Sequence, residues 1–281
     1  MSETTSPAPP QDIFRVVDAP RPDYTRLFRL DGRRAVVVGG GSGIGREGAL
    51  ALAAQGAQVV VADRDLEAAQ ATVALGDPAG GGGLTAYGLD VLVGEAVTRA
   101  ARDLGPVDCL VFTAGTNVRK RILDYTGEEF DRVVSLNLRG AFDLVRAFGP
   151  GMAERGRGSI IGLGSMRSRA VEPGQGVYAA TKAGLLQLLR TVAAELGPQG
   201  VRANTIAPGV VGTPLTAQIR ANTEWAQAYA AKNALGRWAH PAEVAGAIVY
   251  LASDASSYVT GSQLVVDAGW TAIDGRFDPP S

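Results

Sequence analysis

Three side chains in the second half of the chain have the types and spacing needed for proton transfer at an alcohol or ketone oxygen. Tyr178 and Lys182 are four residues apart in VYAATKAGLLQLL, so on a helix they lie on one face, one turn apart. A phenol with a pKa of about 10 is a poor base at neutral pH, but a neighbouring ammonium group favours the phenolate. Ser165 precedes Tyr178 by thirteen residues and ends an apolar run, and its hydroxyl can hydrogen-bond a carbonyl or a developing alkoxide. The three residues predict acid/base chemistry at a carbon–oxygen bond.

A glycine-rich turn near the start of the chain predicts a site for the phosphates of a dinucleotide. Such a turn lets the backbone approach a pyrophosphate, and the helix that follows it offers free N–H groups. The residues of this turn predicted to bind the cofactor are Gly39, Gly41, Ser42, Gly43, Ile44 and Gly45.

The next apolar run ends in an acidic residue that bears on the choice of cofactor. Asp63 follows Gly45 by eighteen residues, near the offset of about 20 expected for a carboxylate that accepts hydrogen bonds from a ribose. A carboxylate there would repel the 2′-phosphate of NADP, so the sequence predicts NAD in preference to NADP. Arg64 is the counter-indication, because its side chain could pair with that phosphate.

The elements that must position these residues alternate between short apolar runs and segments of helical period. Several of the runs are apolar throughout, which is typical of strands covered on both faces. The fold class predicted is α/β, a Rossmann-type doubly wound parallel sheet of about seven strands with helices on both faces. The predicted strands are 35–40, 58–63, 84–90, 109–115, 159–164, 202–209 and 263–269. The predicted helices are 44–55, 66–75, 91–103, 127–154, 177–197 and 241–253.

Outside this alternation, two segments stand apart. Residues 1–29 form an N-terminal leader whose first ten residues, rich in Pro, Ser and Thr, are expected to be disordered, and residues 30–281 form one domain. Residues 212–240 contain no predicted strand and carry Trp225, Tyr229 and Trp238. They are either a lid over the substrate or a pair of helices packed by ordinary aromatic contacts.

Composition excludes several classes of protein. The chain has 281 residues and a net charge of −1, which argues against a nucleic-acid partner. No apolar run approaches the 18 to 20 residues or so that a membrane span needs, and no signal peptide is apparent, so we expect a cytoplasmic protein without a membrane partner. One histidine, His240, and one cysteine, Cys109, cannot supply a multi-histidine metal site or a disulfide, and we expect no metal.

From about residue 30 to residue 272 the chain resembles the short-chain dehydrogenase/reductase family. The glycine run, the Ser-x12-Tyr-x3-Lys spacing, Asn137 in SLNLRG, and Pro208-Gly209 followed by Thr213 occur in the order of that family's motifs. The resemblance implies that Tyr178 is the acid/base, that Lys182 lowers its pKa and holds the nicotinamide ribose, and that Ser165 orients the substrate oxygen. It also implies that Asn137 anchors a water molecule that relays protons.

Further cofactor contacts are implied by the same resemblance. Asp90 and Val91 would frame the adenine, and Thr213 would contact the carboxamide. The other residues implied to bind the cofactor, besides Tyr178 and Lys182, are Ala114, Gly115, Pro208, Gly209 and Val211. The chain departs from the family where Val38 replaces a threonine and Phe112-Thr113 replaces Asn-Asn, and we expect Thr113 still to bond a backbone group.

The sequence predicts the type of reaction more precisely than it predicts the substrate. The pattern AGTNVRK, GSM, GRW and VDAGW resembles the gluconate 5-dehydrogenase and deoxygluconate dehydrogenase branch, which acts on sugar acids, but 3-oxoacyl, secondary-metabolite, polyol and steroid reductases share much of it. The alternative from a different functional class is a binding module that binds NAD but has no catalytic activity. Two basic clusters could bind a carboxylate or be solvated loops: Arg119, Lys120 and Arg121 in one, Arg167 and Arg169 in the other.

A homotetramer is predicted from the two long helices, 127–154 and 177–197, which carry apolar residues on more than one face. The family commonly pairs these helices between subunits and uses the C-terminal segment, here 261–272, for a second interface. In the helix at 177–197 the apolar residues cover too wide an arc to be buried by a sheet alone. These residues are Leu185, Leu186, Leu188, Leu189 and Val192.

Overall fold

The computed structural model describes residues 21–77 and 81–274, and the prediction for the first ten residues lies outside these ranges. Its centre is a seven-stranded sheet of order β3-β2-β1-β4-β5-β6-β7 in which every pair is parallel. The strands are β1 Arg34–Val38, β2 Gln58–Asp63, β3 Gly83–Gly88, β4 Cys109–Phe112, β5 Gly158–Leu163, β6 Val201–Pro208 and β7 Gln263–Val266. The order reverses between β1 and β4, where folds of this class bind their ligands.

Helices cover both faces of the sheet, as predicted. Along β1, Val36 and Val38 face one apolar core while Ala35 and Val37 face the other, because alternate residues of a strand point to opposite sides. The first core includes side chains of α3, α5 and α6, and the second those of α1, α2 and α9. The helices are α1 Gly43–Ala54, α2 Leu66–Ala74, α3 Gly94–Leu104, α4 Gly127–Val134, α5 Gly140–Glu154, α6 Gly176–Leu196, α7 Ala217–Arg220, α8 Thr223–Lys232 and α9 Ala242–Ala252.

Several predicted boundaries were wrong where a loop follows a strand. The strand predicted to reach residue 115 ends at Phe112, and the one predicted to reach 269 ends at Val266. The helix predicted from residue 91 begins at Gly94 because the Asp90 carboxylate accepts a hydrogen bond from the Leu92 backbone (2.9 Å), which forms a turn first. These corrections move residues out of regular structure and into the loops at the carboxyl edge of the sheet.

The helix predicted over 127–154 is interrupted. Residues Ser135–Arg139 form a π-helical turn between α4 and α5, and this turn contains Asn137. Single π turns of this kind are frequent at functional sites.

The prediction that the apolar arc of α6 is too wide to be buried within one chain was wrong. Leu185, Leu186, Leu189 and Val192 are all buried within the chain, and Leu188 is half-buried. Leu185, Leu189 and Val192 pack into the core shared with α3 and α5, so the wide apolar arc is covered without a second subunit. Within the described residues, no helix combines the length and apolar character needed to span a membrane.

The segment 212–240 contains α7 and α8, and its aromatic residues pack together. Tyr229 stacks on Trp238 with ring centroids 5.9 Å apart and contacts Trp225 edge-on at 6.2 Å. Trp270, from beyond β7, completes this cluster. A lid function for the segment stays a prediction.

Candidate active site

A cleft of about 780 Å³ opens at the carboxyl edge of the sheet, beside the ends of β1, β2 and β4. Its volume is in the range of cofactor and ligand pockets. Of the predicted cofactor residues, those that line it are Gly39, Ser42, Ile44, Gly45, Asp63, Arg64, Asp90, Val91, Ala114, Gly115 and Thr213.

The remaining predicted cofactor residues, Tyr178 and Lys182 among them, are not part of the lining of this cleft. Gly41 donates its backbone N–H to Asp63, and a side chain on Gly43 would meet Thr213. Pro208 ends β6, Gly209 packs against Asp267, and Val211 is buried and paired with Ala239. Gly41 and Gly43 therefore help to shape the glycine turn without lining the cleft.

The glycine turn is packed too closely for any side chain. Gly39 has a φ of 82°, and a Cβ on it would lie 2.7 Å from the Ala114 nitrogen. A Cβ on Gly45 would lie 2.1 Å from the Gly39 carbonyl oxygen. The backbone thus forms a cradle open to the cleft at the start of α1, which fits the phosphates of a dinucleotide.

Two residues that the sequence analysis missed brace this turn. The Arg46 guanidinium donates to the Gly41 carbonyl (2.6 Å) and to the Thr72 hydroxyl (3.2 Å), and Thr72 donates to the Gly40 carbonyl (3.0 Å). The position of Arg46 was the available signal, because a positive charge in the first turn of a helix is electrostatically unfavourable unless something else uses it.

Thr113 and Asp63 fix the other two sides of the turn. The Thr113 hydroxyl bonds the carbonyls of Val38 and Gly39 at 3.1 Å each, which confirms the expected backbone contact. The Asp63 carboxylate accepts from the Gly41 N–H (3.0 Å) and from the Asp65 N–H (3.1 Å), whereas the side chain of Arg64 is exposed. A fixed negative charge therefore stands in the cleft at the end of β2.

The four residues predicted to be catalytic come together beyond the glycine turn. Tyr178 and Ser165 are each 8% exposed, Lys182 is 4% exposed and Asn137 is 2% exposed. The Lys182 ammonium lies 5.6 Å from the centre of the Tyr178 ring. A Cβ on Gly115 would lie 3.4 Å from Asn137 Oδ1 and 3.5 Å from Lys182 Nζ, so both side chains border the cleft beside this glycine.

Burial dominates the electrostatics of this group. It raises the pKa of Tyr178, and the opposing influences are a hydrogen bond with Ser165 and the positive charges of Arg119 and Arg167. Burial also lowers the pKa of Lys182 to about 8. Lys182 donates to the Leu163 carbonyl (2.7 Å), which aims its ammonium at the end of β5.

Asn137 is held by three hydrogen bonds. Its Oδ1 accepts from the Thr116 N–H (2.8 Å), and its Nδ2 donates to the Thr116 carbonyl (2.9 Å) and to the Thr181 hydroxyl (3.1 Å). Thr181 in turn donates to the Tyr178 carbonyl (2.8 Å). The π turn thus ties the loop after β4 to the helix that carries Tyr178.

A buried polar network lies close enough to Tyr178 for its Arg167 to act on the pKa of Tyr178, and sequence analysis missed most of it. Arg167 pairs with Glu172, and its guanidinium lies 5.9 Å from the centre of the Tyr229 ring and 5.5 Å from that of Trp270. Glu172 also accepts from Tyr229 and from Gln175. No group of three or more His, Cys, Asp or Glu side chains that could hold a metal ion occurs in the described part of the chain.

Comparison with known proteins places this site in a family. Residues 39–271 match the family model described as enoyl-(acyl carrier protein) reductase. The chain is 39% identical over 254 residues to galactitol 2-dehydrogenase (L-tagatose-forming) of Cereibacter sphaeroides, covering 89% of this chain and 99% of that protein. It is 34% identical to the gluconate 5-dehydrogenase of Gluconobacter oxydans, with 87% and 97% covered.

A solved structure agrees with these relatives. The gluconate 5-dehydrogenase of Burkholderia cenocepacia, in complex with NADP and tartrate, superposes with a TM-score of 0.83 at 32% identity, and the match covers 89% of this chain and 99% of that one. The chain therefore belongs to the short-chain dehydrogenase/reductase family, whose members use a nicotinamide cofactor to oxidise CH–OH groups or reduce the corresponding ketones.

Proposed function

We propose that the protein is an NAD-dependent oxidoreductase that interconverts a secondary alcohol and a ketone on a polyol or sugar-acid substrate, with Tyr178 as its acid/base. The observation that carries this proposal is that Ser165, Tyr178, Lys182 and Asn137 are grouped together, with Lys182 and Asn137 beside Gly115, a residue that lines the same cleft as the glycine cradle. A binding module would need the cradle alone.

Each residue of the group has a part in the reaction. The hydride is exchanged with NAD, which the glycine turn, Asp63, Asp90 and Thr213 would hold. The Tyr178 hydroxyl gives a proton to the ketone oxygen in reduction and removes it from the alcohol in oxidation, while Ser165 donates a hydrogen bond to the same oxygen. The Lys182 ammonium would favour the negative charge on Tyr178, and Asn137 would anchor the water through which the proton leaves; both side chains lie beside Gly115.

The preference for NAD rests on Asp63. Its carboxylate is fixed by two backbone N–H groups at the end of β2, so it cannot swing away from a 2′-phosphate. Arg64 is exposed and has no comparable anchor among the residues that the structure describes. The Burkholderia cenocepacia relative contains NADP, so membership of the family does not decide between the two cofactors. The support for NAD comes from Asp63 alone.

The substrate class rests on the relatives. Galactitol 2-dehydrogenase is named for a polyol and gluconate 5-dehydrogenase for a sugar acid. The matches with this chain cover 99% and 97% of those two proteins. We therefore place polyhydroxylated substrates ahead of 3-oxoacyl and other ketoreductase substrates.

We also propose a homotetramer, in which another copy of the chain packs on the helices of the predicted segment 127–154. Phe130 in α4 is 48% exposed and Phe142 in α5 is 40% exposed, although both are large apolar residues. A second copy of the chain packed on α4 and α5 would cover them.

A substrate panel combined with one substitution tests the proposed function. Purified protein is assayed at the NADH absorbance band with polyols, sugar acids, cyclic alcohols and β-ketoesters, with NAD and NADP in parallel. Tyr178→Phe should lower turnover of any substrate found by about 100- to 10,000-fold and leave NAD affinity nearly unchanged, because only the proton-transfer hydroxyl is lost. If Tyr178→Phe kept more than about a tenth of the wild-type rate, Tyr178 would not be the acid/base. Binding of NAD without turnover of any compound would favour the catalytically silent NAD-binding module.

A further inference from the structure

The two hydroxyl groups that the proposed reaction needs belong to residues that are buried in the structure. Tyr178 and Ser165 are each 8% exposed, and neither belongs to the lining of the cleft that contains the glycine turn. A general acid must come within about 3 Å of the oxygen that it protonates. A substrate oxygen therefore reaches Tyr178 only after some part of the protein moves aside.

Helix α8 contacts residues that lie close to Tyr178. Its Trp225 ring lies 6.0 Å from the Arg119 guanidinium, and its Tyr229 ring lies 5.9 Å from that of Arg167. Burial raises the pKa of Tyr178, and both arginines are near enough for their charges to oppose that rise. Helix α8 therefore packs on the side of Tyr178 that these two arginines occupy.

The loop that carries Ser165 is in contact with the same helix. Met166, the next residue, packs in one apolar cluster with Tyr229 and Trp270. The backbone N–H of Arg167 donates to the Ser165 hydroxyl oxygen (3.0 Å). Tyr229 thus rests on the two residues that follow Ser165, and α8 borders both hydroxyl groups.

Helix α8 is anchored to the rest of the protein by one buried side chain. Tyr229 is the one buried residue among the ten residues of α8, all of which the structure describes. Its hydroxyl donates to Glu172. Burial raises the pKa of Tyr229 to about 12, and the hydrogen bond to Glu172 adds to this, so the phenol keeps its proton and stays a donor at neutral pH. A helix with so few buried contacts opens more readily than the helices of the core.

Glu172 joins α8 to the loop after β5 and to the start of α6. Its carboxylate pairs with Arg167 and accepts from Gln175 Nε2 (2.6 Å), so it is fixed from two sides. Gln175 directly precedes α6. The bond from Tyr229 is charge-assisted, and such bonds are stronger than those between neutral groups.

We propose that the hydrogen bond from Tyr229 to Glu172 is a latch that holds α8 closed over the reacting hydroxyl groups, and that α8 opens to admit a substrate. Opening breaks this bond and carries the aromatic rings of α8 away from Tyr178. Glu172 is thus a positioning residue, which acts through Tyr229. This inference deepens the proposed function and rests on it for the identity of Tyr178 and Ser165 as the reacting groups.

Chemical modification of Tyr178 measures the opening. N-acetylimidazole acetylates accessible tyrosine hydroxyl groups, and peptide mass spectrometry gives the rate at each tyrosine of the folded protein without cofactor. Tyr24, which is exposed, is the internal standard. Tyr229→Phe keeps the ring and removes the bond, so acetylation of Tyr178 relative to Tyr24 should rise about 10- to 100-fold, as expected for loss of a hydrogen bond to a charged group.

Tyr125→Phe is the matched control. It removes the same atom from a hydroxyl that donates to the Val118 carbonyl (2.6 Å) on the loop after β4, and it should leave the acetylation ratio unchanged. Glu172→Gln tests the other half of the latch. It should raise acetylation of Tyr178 by a smaller factor than Tyr229→Phe, because the new amide oxygen can still accept from Tyr229 but carries no charge.

Tryptophan fluorescence identifies the element that moves. The chain has three tryptophans, Trp225, Trp238 and Trp270, and all three belong to the cluster around Tyr229. Quenching of their fluorescence by acrylamide should therefore increase in Tyr229→Phe together with the acetylation of Tyr178. Faster acetylation without more quenching would mean that another element covers Tyr178, and it would overturn the latch.

An unchanged acetylation ratio in Tyr229→Phe would also overturn the latch, whether or not the enzyme is active. So would an equal rise in Tyr125→Phe, because a general loosening of the site would then explain both results. If acetylation and quenching change as expected but no alcohol or ketone is turned over, the latch stands and the proposed function is refuted.

Discussion

The hydrogen bonds of Asn137 predict a loss of stability that is separate from any effect on turnover. Asn137 is 2% exposed and makes three bonds of 2.8, 2.9 and 3.1 Å to Thr116 and Thr181. At about 1 kcal/mol for each bond, Asn137→Ala should lower the free energy of unfolding by about 3 kcal/mol. Thr116 also lines the cleft, so water can reach its backbone groups and no further penalty is added.

Urea unfolding of the protein without cofactor measures this loss. The midpoint should fall while the slope of free energy against urea stays the same, which would show that the change is in stability and not in the extent of unfolding. Ser135→Ala is the control, because Ser135 lies in the same π turn and its side chain makes no hydrogen bond among the described residues. It should change stability by less than about 0.5 kcal/mol.

Asn137→Asp provides a second comparison. A carboxylate can still accept from the Thr116 N–H but cannot donate to the Thr116 carbonyl or the Thr181 hydroxyl, so this variant should be no more stable than Asn137→Ala. A loss below about 1 kcal/mol in Asn137→Ala would refute the reasoning, because it would mean that these bonds do not hold the π turn in place.

Three further predictions follow from the site and the surface. Asp63→Ala combined with Ser42→Arg should shift the ratio of specificity constants toward NADP by removing a repelling carboxylate and adding a phosphate partner, and an unchanged ratio would show that the ribose is recognised elsewhere. Burial lowers the pKa of Lys182 to about 8, so the folded protein releases this proton before the unfolded chain does. Stability of the wild type relative to Lys182→Met should therefore rise by about 1–2 kcal/mol between pH 8 and 9.5 in urea unfolding, and parallel behaviour of the two proteins would contradict the lowered pKa. Light scattering at micromolar concentration should give a mass near four times the 29.0 kDa of one chain, and a mass of one chain would refute the tetramer.

The sheet and the position of the site could be predicted from sequence because both depend on local patterns. Runs such as QVVVAD are apolar on both faces, which only a covered parallel strand explains, and Asp63 at the end of that run necessarily lies at the carboxyl edge. The π turn could not be predicted in this way. Its residues continue the helical period of their neighbours, and the change from α to π is fixed by the contacts of Asn137 with Thr116 and Thr181.

The partners of the basic residues also could not be predicted from the sequence. Lys120 pairs with Glu129 and Arg167 with Glu172, but the nine and five residues between the partners include irregular loop segments, so no rule of spacing would predict the pairs. The leucines of α6 led to a wrong prediction of how that helix is buried, again because the outcome depends on tertiary packing. An arc that looks too wide for a sheet is covered when α5 and the sheet contact the helix from different sides, and only the packing shows this.

The π turn has a consequence for the permitted length of the chain. Each residue of an α-helix turns the chain by about 100°, and a π turn holds one residue more than an α turn would. Deleting one residue from Ser135–Arg139 would therefore leave an α turn in its place and keep the helical phase of Val133 relative to Leu144. Val133 is anchored in the apolar cluster with Val118, and Leu144 in the core beneath α5, so both anchors could still be satisfied. A single-residue deletion there should therefore damage the contacts of Asn137 with Thr116 and Thr181 more than the packing of either core.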